Sequence, residues 1–215
     1  MSVEKSRIFL LHTESGAETE GELWDKITDQ QLHDWESQWV PALAFGVQRL
    51  QKARTHNSKW PPSSTWDWRE KIAAVRDATF SHSSFCVMCD GQTQGLIILD
   101  SSGRPERRCR IENQRSKDLL YVELVEVAPW NRKEFHQTPR YRGVGGLLIA
   151  AAIQKSQEEG FKGRLGLHSL PLANSFYANK CGMHDLGGDS DNDGLRYFEM
   201  TPGQASAFLA KGNKS

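Results

Sequence analysis

The sequence of 215 residues lacks both a long hydrophobic run and an excess of charge of either sign. Its longest wholly apolar segment, 147–153, is far shorter than the roughly 20 residues that a membrane helix needs. Lys and Arg number 27, and Asp and Glu also number 27, so the formal net charge is +0. A general nucleic-acid-binding protein usually carries a basic excess. We therefore expect no membrane and no nucleic acid among its partners.

The beginning of the chain also lacks a segment typical of a secretory signal. The apolar piece at 8–11 is too short for the hydrophobic centre of such a signal. Hydrophobic residues make up 38% of the chain and charged residues 25%, which is the composition of a folded globular protein. We expect a cytoplasmic protein, and this length supports one full-sized domain rather than two.

Cysteine is scarce, with four residues in the whole chain. A small secreted domain held together by disulfides would contain more of them. Cys86 and Cys89 have the CxxC spacing of redox and zinc sites, but their neighbours predict a strand rather than the start of a helix. Neither Cys109 nor Cys181 supplies the second pair that a zinc site requires. We expect ordinary buried cysteines and no metal.

Hydrophobic periodicity and turn residues predict an alternation of strands and helices. Strands are predicted at 7–12, 85–89, 95–99, 119–127, 164–168 and 195–200. Helices are predicted from Thr28 with a kink or a break at Pro41, from Ser64, at 145–157, from Pro171 to about 180, and at 203–211. A loop is predicted at 55–65, a hairpin turn at Asp90-Gly91, and an exposed Arg-rich loop at 101–117. This order predicts a mixed α/β single domain.

One stretch combines arginine and glycine where a strand gives way to a helix. The backbone N–H groups at a helix N-terminus have no partner within the helix, and glycine lets a phosphate approach them closely. Two arginines add positive charge. The stretch predicts a pyrophosphate cradle, with an incidental glycine-rich turn as the alternative. Its residues are Arg140, Arg142, Gly143, Val144, Gly145 and Gly146.

Two common phosphate-binding motifs do not fit this stretch. A P-loop requires Lys followed by Ser or Thr after its second glycine, but Leu147 follows Gly146. A Rossmann fingerprint requires a third glycine where Leu148 stands, and it lies early in the chain. The pattern that remains is Arg-x-x-Gly-x-Gly.

This pattern resembles the pyrophosphate loop of the GNAT N-acetyltransferase superfamily. The strand before it ends in Glu-Val-Ala-Pro at 126–129, and the later run 173–183 is similar to the family's Ala…Phe-Tyr…Gly-Phe signature, with Met183 in the last place. The resemblance covers roughly 85–200. It implies a single GNAT-like domain in which a mostly antiparallel central sheet is splayed at the cofactor site and carries helices on both faces. Residues 1–80 would form a helical acceptor side, and residues 85–200 the acyl-CoA-binding core.

The resemblance also implies a reaction, namely transfer of an acyl group from acetyl-CoA or a related acyl-CoA to an amine by direct attack. The pyrophosphate would lie on the loop from Arg142 to Gly146, beside Arg140. The pantetheine would follow the strand residues Val125, Glu126 and Val127, and Asn174 would contact the acyl donor. Tyr177 would protonate the departing thiolate, because a phenol keeps its proton at neutral pH.

The general base stays open between Glu123 and Glu126. Alternate residues of a strand face opposite sides of a sheet, so only one of the two is expected to point into the site. His168 is a third candidate, for which a structural role is the alternative. The insertion at 131–139, with Lys133, Glu134, His136 and Gln137, is expected to cover the cofactor or to shape the acceptor site.

Six of the seven tryptophans precede residue 70. Trp35, Trp39 and Trp68 lie on apolar helical faces and are expected in the core, whereas Trp60 and Trp66 are candidates for an acceptor pocket. The run 189–194 resembles the first half of a calcium loop, but Met200 stands where the loop requires Glu, so a hairpin turn is expected.

Three functions remain in question. The first is an acyl-CoA-dependent N-acyltransferase, and the second is a non-catalytic module that binds acyl-CoA or a partner. The third is another class of enzyme with a phosphate-bearing ligand. We prefer the first function. Its partners would be acyl-CoA and an unidentified amine, and the protein would be a monomer or a homodimer.

Overall fold

The structure is a computed structural model that describes residues 2–52, 63, 66–78 and 80–212. The predicted loop at 55–65, with Trp60, lies outside the described residues except for position 63. The described residues form nine strands and five α-helices. The strands are β1 Lys5–His12, β2 Glu18–Trp24, β3 His82–Cys89, β4 Gln92–Asp100, β5 Leu120–Val127, β6 Tyr141–Arg142, β7 Leu165–Ser169, β8 His184–Asp189 and β9 Leu195–Met200. The helices are α1 Asp29–Asp34, α2 Val40–Lys52, α3 Trp68–Asp77, α4 Val144–Glu158 and α5 Pro202–Gly212.

The first helix begins as its sequence predicts. The Thr28 side chain accepts a hydrogen bond from the backbone N–H of Gln30, and the Gln31 side chain accepts one from the N–H of Thr28. The predicted break at Pro41 takes a milder form, because a π-helical turn, Trp35–Trp39, joins α1 to α2. Pro41 has no N–H to donate and is the second residue after this wider turn.

The strands form one mixed sheet in the order β6-β1-β2-β3-β4-β5-β7-β9-β8. β5 and β7 are parallel, whereas β1 pairs antiparallel with β2 and with β6, β2 with β3, and β9 with β7 and with β8. β3 and β4 are joined at Asp90 and Gly91, whose φ values of 50° and 69° are both positive, as a two-residue hairpin turn requires. The mixed, mostly antiparallel sheet that the sequence predicts is confirmed.

The chain divides into two compact units. One comprises Met1–Thr79, Ser83–Ile97 and Val125–Leu148, and the other Phe80–His82, Ile98–Leu124 and Ile149–Ser215. β4, β5 and α4 each contribute residues to both units. The buried core of the first unit includes Leu32, Trp35, Trp39, Leu43 and Trp68, which confirms the core position predicted for these three tryptophans. The buried core of the second unit includes Ile149, Ile153, Leu165, Leu167 and Phe198.

All four cysteines are buried and carry free thiols. Cys86 and Cys89 lie within β3, so the predicted strand position of this pair is confirmed. Burial raises the pKa of the Cys86 thiol, and it raises the pKa of Cys109 and of Cys181 to about 12. These three thiols therefore stay protonated at neutral pH. None of the helices described here combines the length and the apolarity that crossing a membrane requires.

Candidate active site

The glycine-rich loop connects β6 to α4. Gly143 has a φ of +93°, in the left-handed region that favours glycine. The N–H of Leu147 donates to the carbonyl of Gly143 at 2.9 Å, which closes the first turn of the helix. The N–H groups that precede it have no acceptor within the helix. They belong to Val144, Gly145 and Gly146.

The start of α4 is held against β4 at Gly95. A Cβ atom at this position would lie 2.7 Å from Cγ1 of Val144 and 2.9 Å from Cδ1 of Leu148, so a larger residue would push the helix away. The loop itself is open, because a Cβ atom at Gly143 or Gly146 would meet nothing within 4 Å. The helix N-terminus is thus fixed against the sheet and leaves room on the loop for an anion.

The two loop arginines differ in their surroundings. Arg140 donates from Nη1 to Oε1 of Gln92 at 2.8 Å, and its guanidinium lies 5.3 Å from the ring centroid of Trp130. Arg142 is exposed and forms no ion pair with any residue that the structure describes. Of the two predicted phosphate ligands, Arg142 is therefore the one whose guanidinium is not held by a neighbouring side chain among the described residues.

The strand edge predicted for the pantetheine is free over most of its length. β5 pairs with β7 only at Leu120 with Leu165 and at Tyr121 with Gly166, within the stretches of chain that are described. From Val122 onward, this edge of β5 has no strand partner among them. Val125 and Val127 lie on this free stretch and are half-buried. An extended ligand with amide groups can hydrogen-bond to such an edge.

Glu126, one of the two predicted bases, is buried in the first unit. Its Oε2 accepts a hydrogen bond from Nε1 of Trp68 at 2.7 Å, and its Oε1 lies 3.1 Å from Nη1 of Arg132. Burial raises the pKa of Glu126, and the Trp68 hydrogen bond and the Arg132 charge oppose that rise. Each carboxylate oxygen already has a partner. Trp68 and Arg132 therefore stabilise the buried negative charge of Glu126.

The insertion at 131–139 contributes chiefly through Arg132 and Phe135, which the sequence does not single out. Arg132 binds Glu126 and also Glu134, whose Oε1 lies 2.8 Å from Nη2 of Arg132. Phe135 is buried against α2 at Gly46, where a Cβ atom would overlap the phenyl ring. Lys133, His136 and Gln137, which were expected to cover the cofactor or to shape the acceptor site, are exposed.

Glu123, the other predicted base, belongs to an ion-pair cluster in the second unit. Its carboxylate lies 3.4 Å from Nη2 of Arg107 and 3.4 Å from Nε2 of His82. Arg107 also pairs with the buried Asp100. The loop at 101–117 therefore brings Arg107 onto the sheet, which corrects the expectation that this loop is simply exposed.

Tyr177 lies in the π-helical turn Phe176–Lys180 of the second unit and is buried. Its ring centroid is 5.2 Å from that of Phe176 and 5.7 Å from that of Phe198. Burial raises its pKa, so the phenol keeps its proton at neutral pH. Near it in sequence, Oδ1 of Asn174 is buried and has no hydrogen-bond partner among the described residues. That oxygen can accept a hydrogen bond from a ligand.

The His168 side chain is held at both ring nitrogens. Nδ1 lies 2.6 Å from the hydroxyl of Tyr121, and Nε2 lies 2.9 Å from Oδ2 of Asp189. The Asp189 carboxylate also accepts from Nη1 of Arg110 at 2.6 Å. Asp189 is thus the shared hydrogen-bond acceptor of His168 and Arg110. The run 189–194 forms the expected hairpin turn between β8 and β9. No group of three His, Cys, Asp or Glu side chains in the described ranges is arranged to hold a metal ion.

The residues that sequence reasoning missed are long-range partners. Trp68 and Arg132 meet at Glu126, and Tyr121 and Asp189 meet at His168. They carry no local spacing signal, because the contacts join separate elements. Only the Arg-rich composition of 101–117 indicated that Arg107 and Arg110 would form ion pairs with carboxylates.

Comparisons with known proteins identify the fold. No protein-family model matches the chain, and a search of the curated proteins finds no match. Among solved structures, the chain is similar to the PaiA N-acetyltransferase of Thermoplasma acidophilum in complex with coenzyme A. The identity is 13% over 94% of this chain and 99% of that chain, with a TM-score of 0.50.

Two further structures agree with the first. The GNAT domain of S. lividans PAT is 13% identical over 91% of this chain and 96% of that chain, with a TM-score of 0.51. RimJ of Mycobacterium smegmatis, solved with CoA-disulfide, is 13% identical over 97% of this chain and 95% of that chain, with a TM-score of 0.51. At this level of identity the similarity concerns the fold, and it confirms the GNAT fold expected from the loop motif.

Proposed function

We propose that the chain is an N-acyltransferase that moves an acetyl or another acyl group from acyl-CoA to an amine. The observation that carries this proposal is the open N-terminus of α4, where three N–H groups without an acceptor inside the helix lie beside a glycine of positive φ. Unpaired N–H groups and the helix dipole favour a bound anion, and the open loop admits a bulky one such as pyrophosphate.

The acyl donor is proposed to bind along two features of this chain. Its pyrophosphate would accept hydrogen bonds from the N–H groups of 144–146, with Arg142 adding charge. Its pantetheine amides would pair with the free edge of β5 at 125–127. Asn174, whose buried Oδ1 has no other described partner, would accept from a donor N–H. The PaiA and RimJ structures hold coenzyme A and CoA-disulfide, which supports an acyl donor of this class.

The reaction is direct attack of a neutral amine on the thioester. The nitrogen lone pair forms the C–N bond, and the C–S bond breaks with its electron pair on the sulfur of CoA. Tyr177 is proposed to donate a hydrogen bond to that sulfur. A thiol has a pKa of about 8.5 and a phenol of about 10, so complete proton transfer from Tyr177 is uphill. Stabilisation of the developing thiolate by a held O–H is the role that fits.

The acceptor side is proposed to lie within 1–80, where Trp66 is half-buried beside α3. An indole there would suit an amine with an apolar body. Because buried free thiols fit a reducing compartment, we propose that the reaction takes place in the cytoplasm.

Two measurements test the proposal together. Calorimetry with acetyl-CoA and with CoA measures binding of the acyl donor, and release of free CoA is followed against a panel of small amines and short peptides. Binding with amine-dependent release supports the proposal. Binding without release by any amine favours a non-catalytic acyl-CoA-binding module, and absence of binding contradicts the cradle itself.

A further inference from the structure

Three side chains of the second unit form one hydrogen-bonded row. The Tyr121 hydroxyl lies 2.6 Å from Nδ1 of His168, and Nε2 of His168 lies 2.9 Å from Oδ2 of Asp189. The side chains of His168 and Asp189 are only 8% and 11% exposed. The row therefore has a fixed geometry and is largely shielded from water.

The charge on Asp189 decides where the protons of this row lie. Hydrogen bonds from Arg110 and His168 hold the pKa of Asp189 well below its usual range, so its carboxylate is ionised and can only accept. Nε2 of a neutral His168 must then carry the proton, and Nδ1 is left as an acceptor. The Tyr121 hydroxyl consequently donates to Nδ1. The order of carboxylate, imidazole and hydroxyl is the one that activates a hydroxyl oxygen in nucleophile–base arrangements.

Tyr121 stands where β5 separates from β7. It belongs to the last residue pair between the two strands, and the free edge of β5 begins directly after it. Its side chain shares a face of β5 with Val125 and Val127, because alternate residues of a strand point the same way. The carboxylates of Glu123 and Glu126 are already held by other side chains. The Tyr121 oxygen has two lone pairs, of which the backbone N–H of His168 engages at most one.

Resting on the acyl transfer proposed above, we propose that Tyr121 takes the proton from the acceptor amine and passes its own proton to His168. The lone pair of the amine nitrogen forms the C–N bond, and an N–H bond of that nitrogen breaks with its electron pair left on nitrogen as the lone pair of the amide. The proton goes to Oη of Tyr121 while the Tyr121 proton moves to Nδ1 of His168. The C–S bond of the thioester breaks toward sulfur. Tyr121 is the catalytic residue, and His168 and Asp189 are positioning residues that act through it.

The surroundings favour neutral starting groups. Burial lowers the pKa of His168, with Asp189 opposing that effect, so the imidazole is free to accept a proton at neutral pH. Burial also raises the pKa of Tyr121, which keeps its hydroxyl protonated. The other charged or titratable groups that face the row are Arg107 and Arg110 from the loop at 101–117, Glu123 from β5 and Tyr197 from β9.

The test compares His168→Gln and Tyr121→Phe with His184→Gln, which changes an exposed histidine of β8 outside the row. The pH profile of kcat/KM is measured with acetyl-CoA and the best amine of the panel. We expect an acid limb below the usual histidine pKa of about 6.5 in the unaltered chain and in His184→Gln. His168→Gln should lose this limb and about 100-fold in rate, and Tyr121→Phe should lose a similar factor in rate, with acetyl-CoA affinity nearly unchanged in both.

Two outcomes separate this inference from the proposed function. If His168→Gln keeps both its rate and its acid limb while binding acetyl-CoA normally, the relay is wrong and the acyl transfer stands. If calorimetry finds no acetyl-CoA binding at all, the acyl transfer is contradicted and this role of Tyr121 with it. Nitrogen-15 NMR of the imidazole adds a readout without turnover: a proton on Nε2 at neutral pH supports the row, and a proton on Nδ1 overturns it.

Discussion

The indole N–H of Trp68 donates a 2.7 Å hydrogen bond to Oε2 of Glu126, 58 residues further along the chain. Arg132 approaches the other carboxylate oxygen at 3.1 Å. The three residues belong to the first unit, and both Trp68 and Glu126 are buried. A buried carboxylate is costly unless its oxygens are satisfied, so this pair ties α3 and the insertion at 131–139 to the end of β5.

Trp68→Phe should destabilise the protein by about 1–3 kcal/mol, because it removes a donor from a buried carboxylate and leaves the phenyl ring smaller than the indole. Urea unfolding monitored by circular dichroism measures this change. Trp66→Phe is the matched control, since Trp66 is only half-buried, and it should produce a clearly smaller effect. Equal effects of the two substitutions would mean that the hydrogen bond contributes nothing measurable.

The acid stability of the second unit should depend on Asp100. Burial raises the pKa of this carboxyl, but hydrogen bonds from Ser102 and the charge of Arg107 outweigh burial and hold its pKa below the usual value. A lowered pKa stabilises the fold above the unfolded value of about 4, and that stability is lost as pH falls through the folded value. As the pH falls below about 4, Asp100→Asn should therefore show a shallower loss of unfolding free energy than the unaltered chain.

Asp77→Asn is the control for this experiment, because Asp77 is exposed at the end of α3. Its acid slope should match that of the unaltered chain. The prediction fails if Asp100→Asn keeps the full slope.

Gly143→Glu should weaken acetyl-CoA binding by about 100-fold or more, which corresponds to roughly 2.7 kcal/mol. The new carboxylate would stand in the open space of the loop and repel the phosphates, and the positive φ would add strain. Gly160→Glu is a close control, since Gly160 follows the other end of α4 and has a φ of +79° and the same open surroundings. Calorimetry that finds equal acetyl-CoA affinity in both variants would remove the cradle.

Tyr177→Phe should lower kcat by about 100-fold while acetyl-CoA affinity changes little, because only the hydroxyl that would stabilise the thiolate is lost. The phenyl ring keeps its contacts with Phe176 and Phe198, so the melting temperature serves as the internal control for packing. Unchanged turnover in this variant would assign Tyr177 to the core alone.

The sequence predicts those features of the fold that depend on residues close together along the chain. The capping box at Thr28, the hairpin turn at Asp90-Gly91 and the extent of α4 each depend on residues within a few positions of one another, and each prediction is confirmed. Three of the observed strands, β2, β6 and β8, are not among the predicted ones. β2 is rich in glutamate, and β6 has only two residues, so their partners in the sheet define them as strands.

The sequence by itself determined the glycine-rich loop and the helix that follows it, because a positive φ at glycine and N–H groups without an acceptor inside the helix are local properties. Tertiary structure alone decided the state of the candidate bases. The sequence predicts Glu123 and Glu126 as candidate general bases. In the folded protein, however, Arg107 pairs with Glu123 and Arg132 pairs with Glu126. The same folding aligns Tyr121, His168 and Asp189, since the charge and protonation of a side chain depend on neighbours that only the fold brings within hydrogen-bond distance.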